Sequence, residues 1–314
     1  MILAATPQAV TEAAGLLRGG AVVAFPTETV YGLGADVFSP RAVAAIFEIK
    51  RRPSFDPLIV HVCDGAMLER VAADLPAAAT ALIERFWPGP LTLVLPKRSE
   101  VPELVTAGLP TVAVRMPAHP VARALIEAAG TPLAAPSANP FGRISPTTAQ
   151  HVERMLGSLV PLILDGGATE VGIESTIVTL GPRPALLRPG AIAAEAIEAV
   201  IGPLERPARD SGVRAPGQFA SHYAPATRLR LVEPSEVPLA QRRRAGSIAL
   251  RHAVEGYAAS RVLSPSGDLR EAAANLFKTL HELDAMKLER IDAQPVAENG
   301  LGVAIMDRLT RAAR

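Results

Sequence analysis

The chain has 314 residues, about half of them hydrophobic, with a formal net charge of +1 and a single cysteine. That length accommodates about two domains, and the near-zero charge argues against a protein that coats nucleic acid by charge alone. The lone Cys63 excludes an intramolecular disulfide and any multi-cysteine zinc site. Residues 1–20 lack a positive segment ahead of an apolar block, so no secretory signal is expected there. No run of about 18 apolar residues occurs, so no membrane span is expected, and a soluble cytoplasmic protein is the expectation.

Thr6-Pro7 has the form of an N-cap followed by proline at the first helical position. Val10, Ala13, Ala14 and Leu17 then make one apolar helical face that Gly19-Gly20 ends. Residues 21–25 are a buried strand, 26–36 a turn rich in hydroxyls and glycine, and Ser39-Pro40 caps a helix with Val43, Ile46 and Phe47 inward. Strands are expected at 58–62, 91–95, 111–116, 132–135, 159–164, 175–180 and 185–188, and helices at 76–86, 120–129 and 193–201. Strands dominate and helices interleave irregularly, which suits an α/β, α+β-like twisted mixed sheet flanked by helices.

From 202 to 226 the periodicity disappears under prolines and glycines, which marks a linker, mobile or bound along a surface. A short α/β unit follows. Its strands are 228–232 and 247–250, Asp268 caps a helix with Ala272, Leu276, Leu280 and Leu283 on one face, and a last helix follows Gly302.

The familiar nucleotide motifs are absent. There is no GxxxxGK[ST], and Gly32-Leu33-Gly34 and Gly300-Leu301-Gly302 lack the third glycine of a dinucleotide fingerprint. Polar groups gather instead at strand ends, most densely across residues 22–61. Pro53 biases Arg52 towards extension, which turns Lys50 and Arg52 to one side as a point charge and a bidentate fork for phosphate. A solvated basic helix end is the alternative. Ser137 and Asn139, between Pro136 and Pro140, project a hydroxyl and an amide together, or form an ordinary turn. Thr27, Thr29 and Tyr31 share a face, and His61 ends a strand. Arg115 lies within an apolar strand and needs an anionic partner, from this chain or from a substrate. Glu174-Ser175-Thr176 forms another polar strand entrance. Cations and hydroxyls without an activated nucleophile or a metal cage suit phosphoryl or nucleotidyl transfer.

FPTETVYGLG, the Lys-x-Arg-Pro at 50–53 leading to PLIVH, TVAVRMP, APSAN and GIESTIV together resemble the Sua5/YrdC family of L-threonylcarbamoyladenylate synthases. His222-Tyr223-Ala224-Pro225 and the C-terminal NGLGVAIMDRL resemble its two-domain Sua5 form. The resemblance implies a YrdC-like catalytic domain at 1–202, a linker or lid at 203–226, and a small Rossmann-like Sua5 C-terminal domain at 227–314. It implies condensation of L-threonine, bicarbonate and ATP, with Mg²⁺, to threonylcarbamoyl-AMP and pyrophosphate. Downstream threonylcarbamoyl transferase machinery then modifies adenosine 37 of tRNA, with direct tRNA contact a further possibility.

By the same likeness, Lys50 and Arg52 are catalytic and Thr29, His61, Arg115 and Ser175 hold threonine. Arg52, Asp56, Thr111, Ser137, Asn139, Ser145, Arg188, His222 and Tyr223 line the ATP site, and no residue is assigned to a metal. Two departures stand out. Asp56 occupies a position where the family usually has Asn, so it must turn away from phosphate, act through its backbone or meet Mg²⁺. The linker start at 215–222 lacks the family's usual lysine. Competing functions are a double-stranded RNA or tRNA binder without adenylate synthesis, a relic of the enzyme, and a hydrogenase-maturation carbamoyltransferase, whose CxxC pairs a one-cysteine chain cannot supply. Arg242-Arg243-Arg244 is a solvated charge run or an RNA contact.

Overall fold

A computed structural model describes residues 1–181, 183–207 and 222–314. Residues 208–221, with most of the predicted lid start at 215–222, lie outside the described residues. The strands of the first sheet are β1 (Ile2–Ala4), β2 (Val23–Phe25), β3 (Gly32–Asp36), β4 (Ile59–His61), β5 (Leu91–Pro96), β6 (Thr111–Arg115), β7 (Leu133–Ala134), β8 (Leu162–Asp165), β9 (Thr176–Thr179) and β10 (Ala185–Arg188). They run in the order β1-β8-β2-β3-β7-β4-β6-β5-β9-β10. β1, β8 and β2 are parallel, whereas β3 and β7 each pair antiparallel to their neighbours, so the sheet is mixed as expected. The second sheet joins β11 (Leu229–Leu231), β12 (Ala245–Ala249), β13 (Ala259–Val262) and β14 (Arg290–Ala293) in the all-parallel order β11-β14-β12-β13.

Eleven α-helices occur among the described residues: α1 (Pro7–Arg18), α2 (Pro40–Lys50), α3 (Gly65–Glu69), α4 (Ala77–Phe86), α5 (Glu103–Thr106), α6 (Pro120–Ala129), α7 (Ala149–Leu156), α8 (Ala194–Ile201), α9 (Leu239–Arg242), α10 (Leu269–Ala285) and α11 (Leu301–Ala312). None is long and apolar enough to cross a membrane. Thr6 accepts the Ala9 amide at 3.2 Å, and α1 buries Ala9, Val10, Ala13, Ala14 and Leu17 against α6 and the sheet. Burying Leu17 alone removes apolar surface worth about 2 kcal/mol.

Two local expectations change. Residues 32–36 are strand β3, not turn, and pair with β2 so that Gly34 lies under Phe25. A Cβ at Gly34 would stand 2.7 Å from Phe25 Cε1, so the glycines that imitate a turn serve close packing. The Lys50–Arg52 step is not extended. Arg51 closes α2 in the left-handed region (φ 52°), with its amide on the Glu48 carbonyl and the Arg52 amide on Phe47. That reversal, a Schellman-type end, turns both cations inward.

The second sheet and its helices share a core with the first unit. Val30, Ile144 and Ile173 belong to the same apolar cluster as Tyr223, Leu276, Phe277 and Ile305. Gly172 (φ +74°) permits this contact, because a Cβ there would stand 2.4 Å from the Ala274 carbonyl oxygen of α10.

Candidate active site

One cavity, with about 560 Å³ of empty space including its mouth, is lined by Thr27, Thr29, Arg52, His61, Arg115, Ser137, Glu174, Ser175, Arg188, His222 and Tyr223, among others. Register explains part of the convergence. β4 and β6 are parallel with His61 beside Arg115, and β5 and β9 are parallel with Leu91 beside Thr176.

On one wall, the Thr27 hydroxyl donates to the Val30 carbonyl at 2.6 Å and contacts the Thr29 hydroxyl at 2.8 Å. Thr27 has no second proton, so Thr29 donates to it. Arg115 Nη1 donates to Thr29 Oγ1 at 2.9 Å, Nε donates to the Gly89 carbonyl at 3.3 Å, and Nη2 lies 2.7 Å from Glu28 Oε1 in an ion pair without hydrogen-bond geometry. Two of the five guanidinium N–H groups are thereby hydrogen-bonded to the protein, which leaves one on Nη1 and both on Nη2. Glu28 supplies the anionic partner that a buried strand arginine requires. His61 packs edge-on to Phe25, and burial, followed by the Arg115 charge, lowers its pKa to about 3, so its imidazole is neutral at physiological pH. Ser175 shares a 2.8 Å contact with the Thr92 hydroxyl.

On the other wall stand Arg188 and Arg52. Arg188 donates through Nη2 to Ser175 Oγ (3.0 Å) and O (2.9 Å). Arg52 donates through Nε to the Asp56 carbonyl (3.1 Å) and through Nη2 to the Pro57 carbonyl (2.7 Å), and Nη2 pairs with the Asp56 carboxylate at 2.7 Å. Burial lowers both arginine pKa values.

Five of the expected site residues do not line this cavity. Lys50 is buried and donates to the carbonyls of Ser137 (2.6 Å) and Asn139, so it grips the loop by its backbone. Burial, then the Arg52 charge, holds its pKa well below the usual lysine value. Asn139 donates to the Pro140 and Arg143 carbonyls and so shapes the turn behind Ser137. Asp56 is fully buried beneath Arg52, turned away from the space. Burial raises its pKa to about 6 against the opposing charges of Arg52 and Lys50. Ser145 is buried and donates to Glu174. Thr111 opens β6, four residues before Arg115.

A family model described as "Telomere recombination" (Sua5_yciO_yrdC) matches residues 15–190, and one described as "Threonylcarbamoyl-AMP synthase, C-terminal domain" matches residues 192–314. The chain belongs to the Sua5/YrdC family. Relatives named threonylcarbamoyl-AMP synthase include one from Pyrococcus abyssi, 44% identical over 96% of this chain and 92% of that protein. Another, from Bacillus subtilis, is 44% identical over 97% and 92%. The crystal structure of P. abyssi Sua5 complexed with L-threonine superposes with a TM-score of 0.94 at 41% identity, covering 100% of this chain and 97% of that one. A P. abyssi Sua5 variant with an adjacent histidine and tyrosine replaced by alanine superposes with a TM-score of 0.93 at 40% identity, covering 100% and 96%.

In this Sua5/YrdC member the C-terminal unit also reaches the site, through residues that spacing and composition do not reveal. From α10, His281 Nε2 donates to the Ser145 carbonyl at 3.1 Å, and its ring stacks on His151 with centroids 3.9 Å apart. From α11, Arg308 Nε donates to Glu174 Oε2 at 2.9 Å, and the Arg311 carbonyl accepts the His222 amide at 3.3 Å. Burial works to raise the Glu174 pKa, but Arg308 and Arg188 outweigh it and hold the carboxyl below its ordinary value. The one signal available was a charged residue, Arg308, in the apolar register of a helix whose Ala304, Ile305 and Leu309 face inward.

Proposed function

We propose that the protein is a threonylcarbamoyl-AMP synthase, which condenses L-threonine, bicarbonate and ATP into threonylcarbamoyl-AMP, pyrophosphate and water. The observation that carries this is one cavity with two chemistries. A hydroxyl-rich side around Arg115, whose charge Glu28 offsets, adjoins a cationic side formed by Arg52 and Arg188. Full-length similarity to synthases of P. abyssi and B. subtilis supports it.

The N–H groups left on Nη1 and Nη2 of Arg115 are suited to the threonine carboxylate. Thr29 Oγ1 has given its proton to Thr27, so it meets the amino acid as an acceptor. His61, being neutral, adds no charge beside Arg115. The threonine amine condenses with bicarbonate to a carbamate and water. A carbamate oxygen then bonds the α-phosphorus of ATP, and the bond to the bridging oxygen of pyrophosphate breaks. Arg52 and Arg188 offset the charge that develops on the phosphates, a preorganised contribution that needs no nucleophile from the protein.

Buried polar atoms without a hydrogen-bond partner among the described residues, His61 Nδ1, His222 Nδ1 and the Tyr223 hydroxyl, belong to cavity-lining residues and fit a polar ligand. His222-Tyr223 is the sole His-Tyr dipeptide in the sequence and fits a role over the nucleotide. Glu28, Asp56 and Glu174 are each committed to an arginine, so these residues do not make a cage for a resident ion, and Mg²⁺ enters as the ATP complex, held by phosphate oxygens. The product is a mixed anhydride, whose threonylcarbamoyl group downstream transferase machinery passes to tRNA adenosine 37, with AMP as the leaving group. Burial of Arg52, Arg115 and Arg188 inside the cavity favours this over an RNA-binding surface.

The test is pyrophosphate release from ATP with each amino acid in turn, with and without bicarbonate. Release that requires both threonine and bicarbonate is expected. Release indifferent to either one overturns the proposal.

A further inference from the structure

Arg308 lies on α11, in the C-terminal unit, yet it is fully buried against the wall of the cavity. Its Nε donates to Glu174 at 2.9 Å and its Nη1 to the Pro189 carbonyl at 2.9 Å, while Nη1 also pairs with Asp307 at 2.8 Å. Its guanidinium carbon stands 5.1 Å from the centroid of the Tyr223 ring. Glu174 precedes Ser175, and Pro189 follows Arg188; Ser175 and Arg188 both line the cavity and are hydrogen-bonded to each other. One side chain thus holds the outer flank of both partners and backs the tyrosine that lines the same space.

We propose that Arg308 is a positioning residue, through which the C-terminal unit keeps Glu174–Ser175, Arg188–Pro189 and Tyr223 in the arrangement that binds threonine and nucleotide. This rests on the synthase activity proposed above.

The chemistry explains why an arginine is required. A planar fork can serve a carboxylate and a carbonyl on separate segments while its face covers an aromatic ring. A lysine offers a point charge to one of them. Glu174 is buried, and its side-chain partners among the described residues are Ser145 and Arg308. Without Arg308 it becomes a buried carboxylate with a hydroxyl donor from Ser145, and the remaining cation that acts on it is Arg188. Glu174 then competes with Ser175 for Arg188 and draws it out of the nucleotide wall. Arg308 therefore works by keeping Glu174 occupied.

The test uses the full chain in four forms beside wild type: Arg308→Met, Arg308→Lys, Glu174→Gln and the Arg308→Met/Glu174→Gln double variant. Folding is followed by thermal melting, and KM for threonine and ATP and kcat by pyrophosphate release. Arg308→Met is expected to raise the KM values at least about tenfold, and Arg308→Lys to recover only part of that loss. The double variant, which removes the stranded charge, is expected to regain at least about fivefold over Arg308→Met. A merely structural role for Arg308 lowers melting and the active fraction, which Glu174→Gln also relieves, but leaves the KM values unchanged. If Arg308→Met does not fold, the same comparison of KM values is made with Arg308→Lys, alone and with Glu174→Gln. An active wild type whose Arg308 variants keep KM values within about twofold, or whose loss Glu174→Gln does not relieve, overturns the inference alone. A wild type without threonine-dependent release overturns the synthase assignment and this inference with it.

Discussion

Lys50 Nζ donates to the Ser137 carbonyl at 2.6 Å, so the end of α2 holds the Ser137–Asn139 segment by its main chain. The Phe141 amide closes the same junction on the Lys50 carbonyl at 2.7 Å. A lysine so committed supports the site from behind. Lys50→Met leaves the Asn139 carbonyl without its lysine donor, while the Ser137 carbonyl keeps the Asn139 amide at 3.0 Å, and a buried acceptor left without a donor costs about 1–3 kcal/mol. The urea midpoint is expected to fall and amide exchange at 139–143 to accelerate. A variant of unchanged stability whose kcat alone collapses would instead make Lys50 a direct participant.

Arg52 is fixed by the carbonyls of Asp56 and Pro57 as well as by the Asp56 carboxylate, so its fork is oriented before substrate arrives. Arg52→Lys keeps the charge and loses that orientation. Pyrophosphate release in the presence of threonine and bicarbonate is expected to fall by about 10²–10³-fold, the usual loss for one preorganised donor. Arg52→Ala is expected to abolish it. Turnover near the wild-type rate in either variant refutes the role of Arg52.

Asp56 makes stability depend on pH. Its folded pKa is raised, from 3.8 to about 6, mainly by burial. A carboxyl with a raised folded pKa favours the native state fully below its unfolded pKa, and that contribution is lost as pH rises through the folded value. The wild type is therefore expected to lose about 2 kcal/mol relative to Asp56→Asn between pH 4 and pH 7. Urea unfolding of both proteins across that range measures it, and parallel curves would count against the buried carboxylate.

Gly172 packs against α10 of the C-terminal unit. Its φ is +74°, and a Cβ there would stand 2.4 Å from the Ala274 carbonyl oxygen, which leaves no space for a methyl group. Gly172→Ala is expected to cost at least about 2 kcal/mol, since the left-handed conformation alone costs an alanine about 1–2 kcal/mol. Thermal melting and threonine titration should both register it, because Ile173 and Glu174 follow directly. Unchanged melting would mean that α10 shifts freely.

His61, Arg115 and Ser175 were legible because each is a polar side chain at or near the end of an apolar run, Arg188 was expected only from the family resemblance, and the cavity gathers all four. The convergence of Lys50 and Arg52 was legible too, but its cause was not. Pro53 suggested extension, whereas the chain turns through a left-handed Arg51, a conformation that an arginine does not advertise. Strand β3 was hidden because GLGAD lacks the β-branched signal of a strand, and its glycines answer to Phe25, nine residues earlier.

Local pattern by itself determined the mixed sheet, the caps of α1 and α2, the break after residue 201 and the chemical character of the site, because spacing and residue type act over a few positions. Tertiary structure alone decided how those groups divide their work. Lys50 and Asp56, polar and near the motif, turn inward to support the loop and the arginine, while Arg308, more than 130 residues beyond Glu174, becomes its partner. Burial is the reason: a buried charge must find its counter-charge wherever the fold brings one within reach, and that distance is not written in the local sequence.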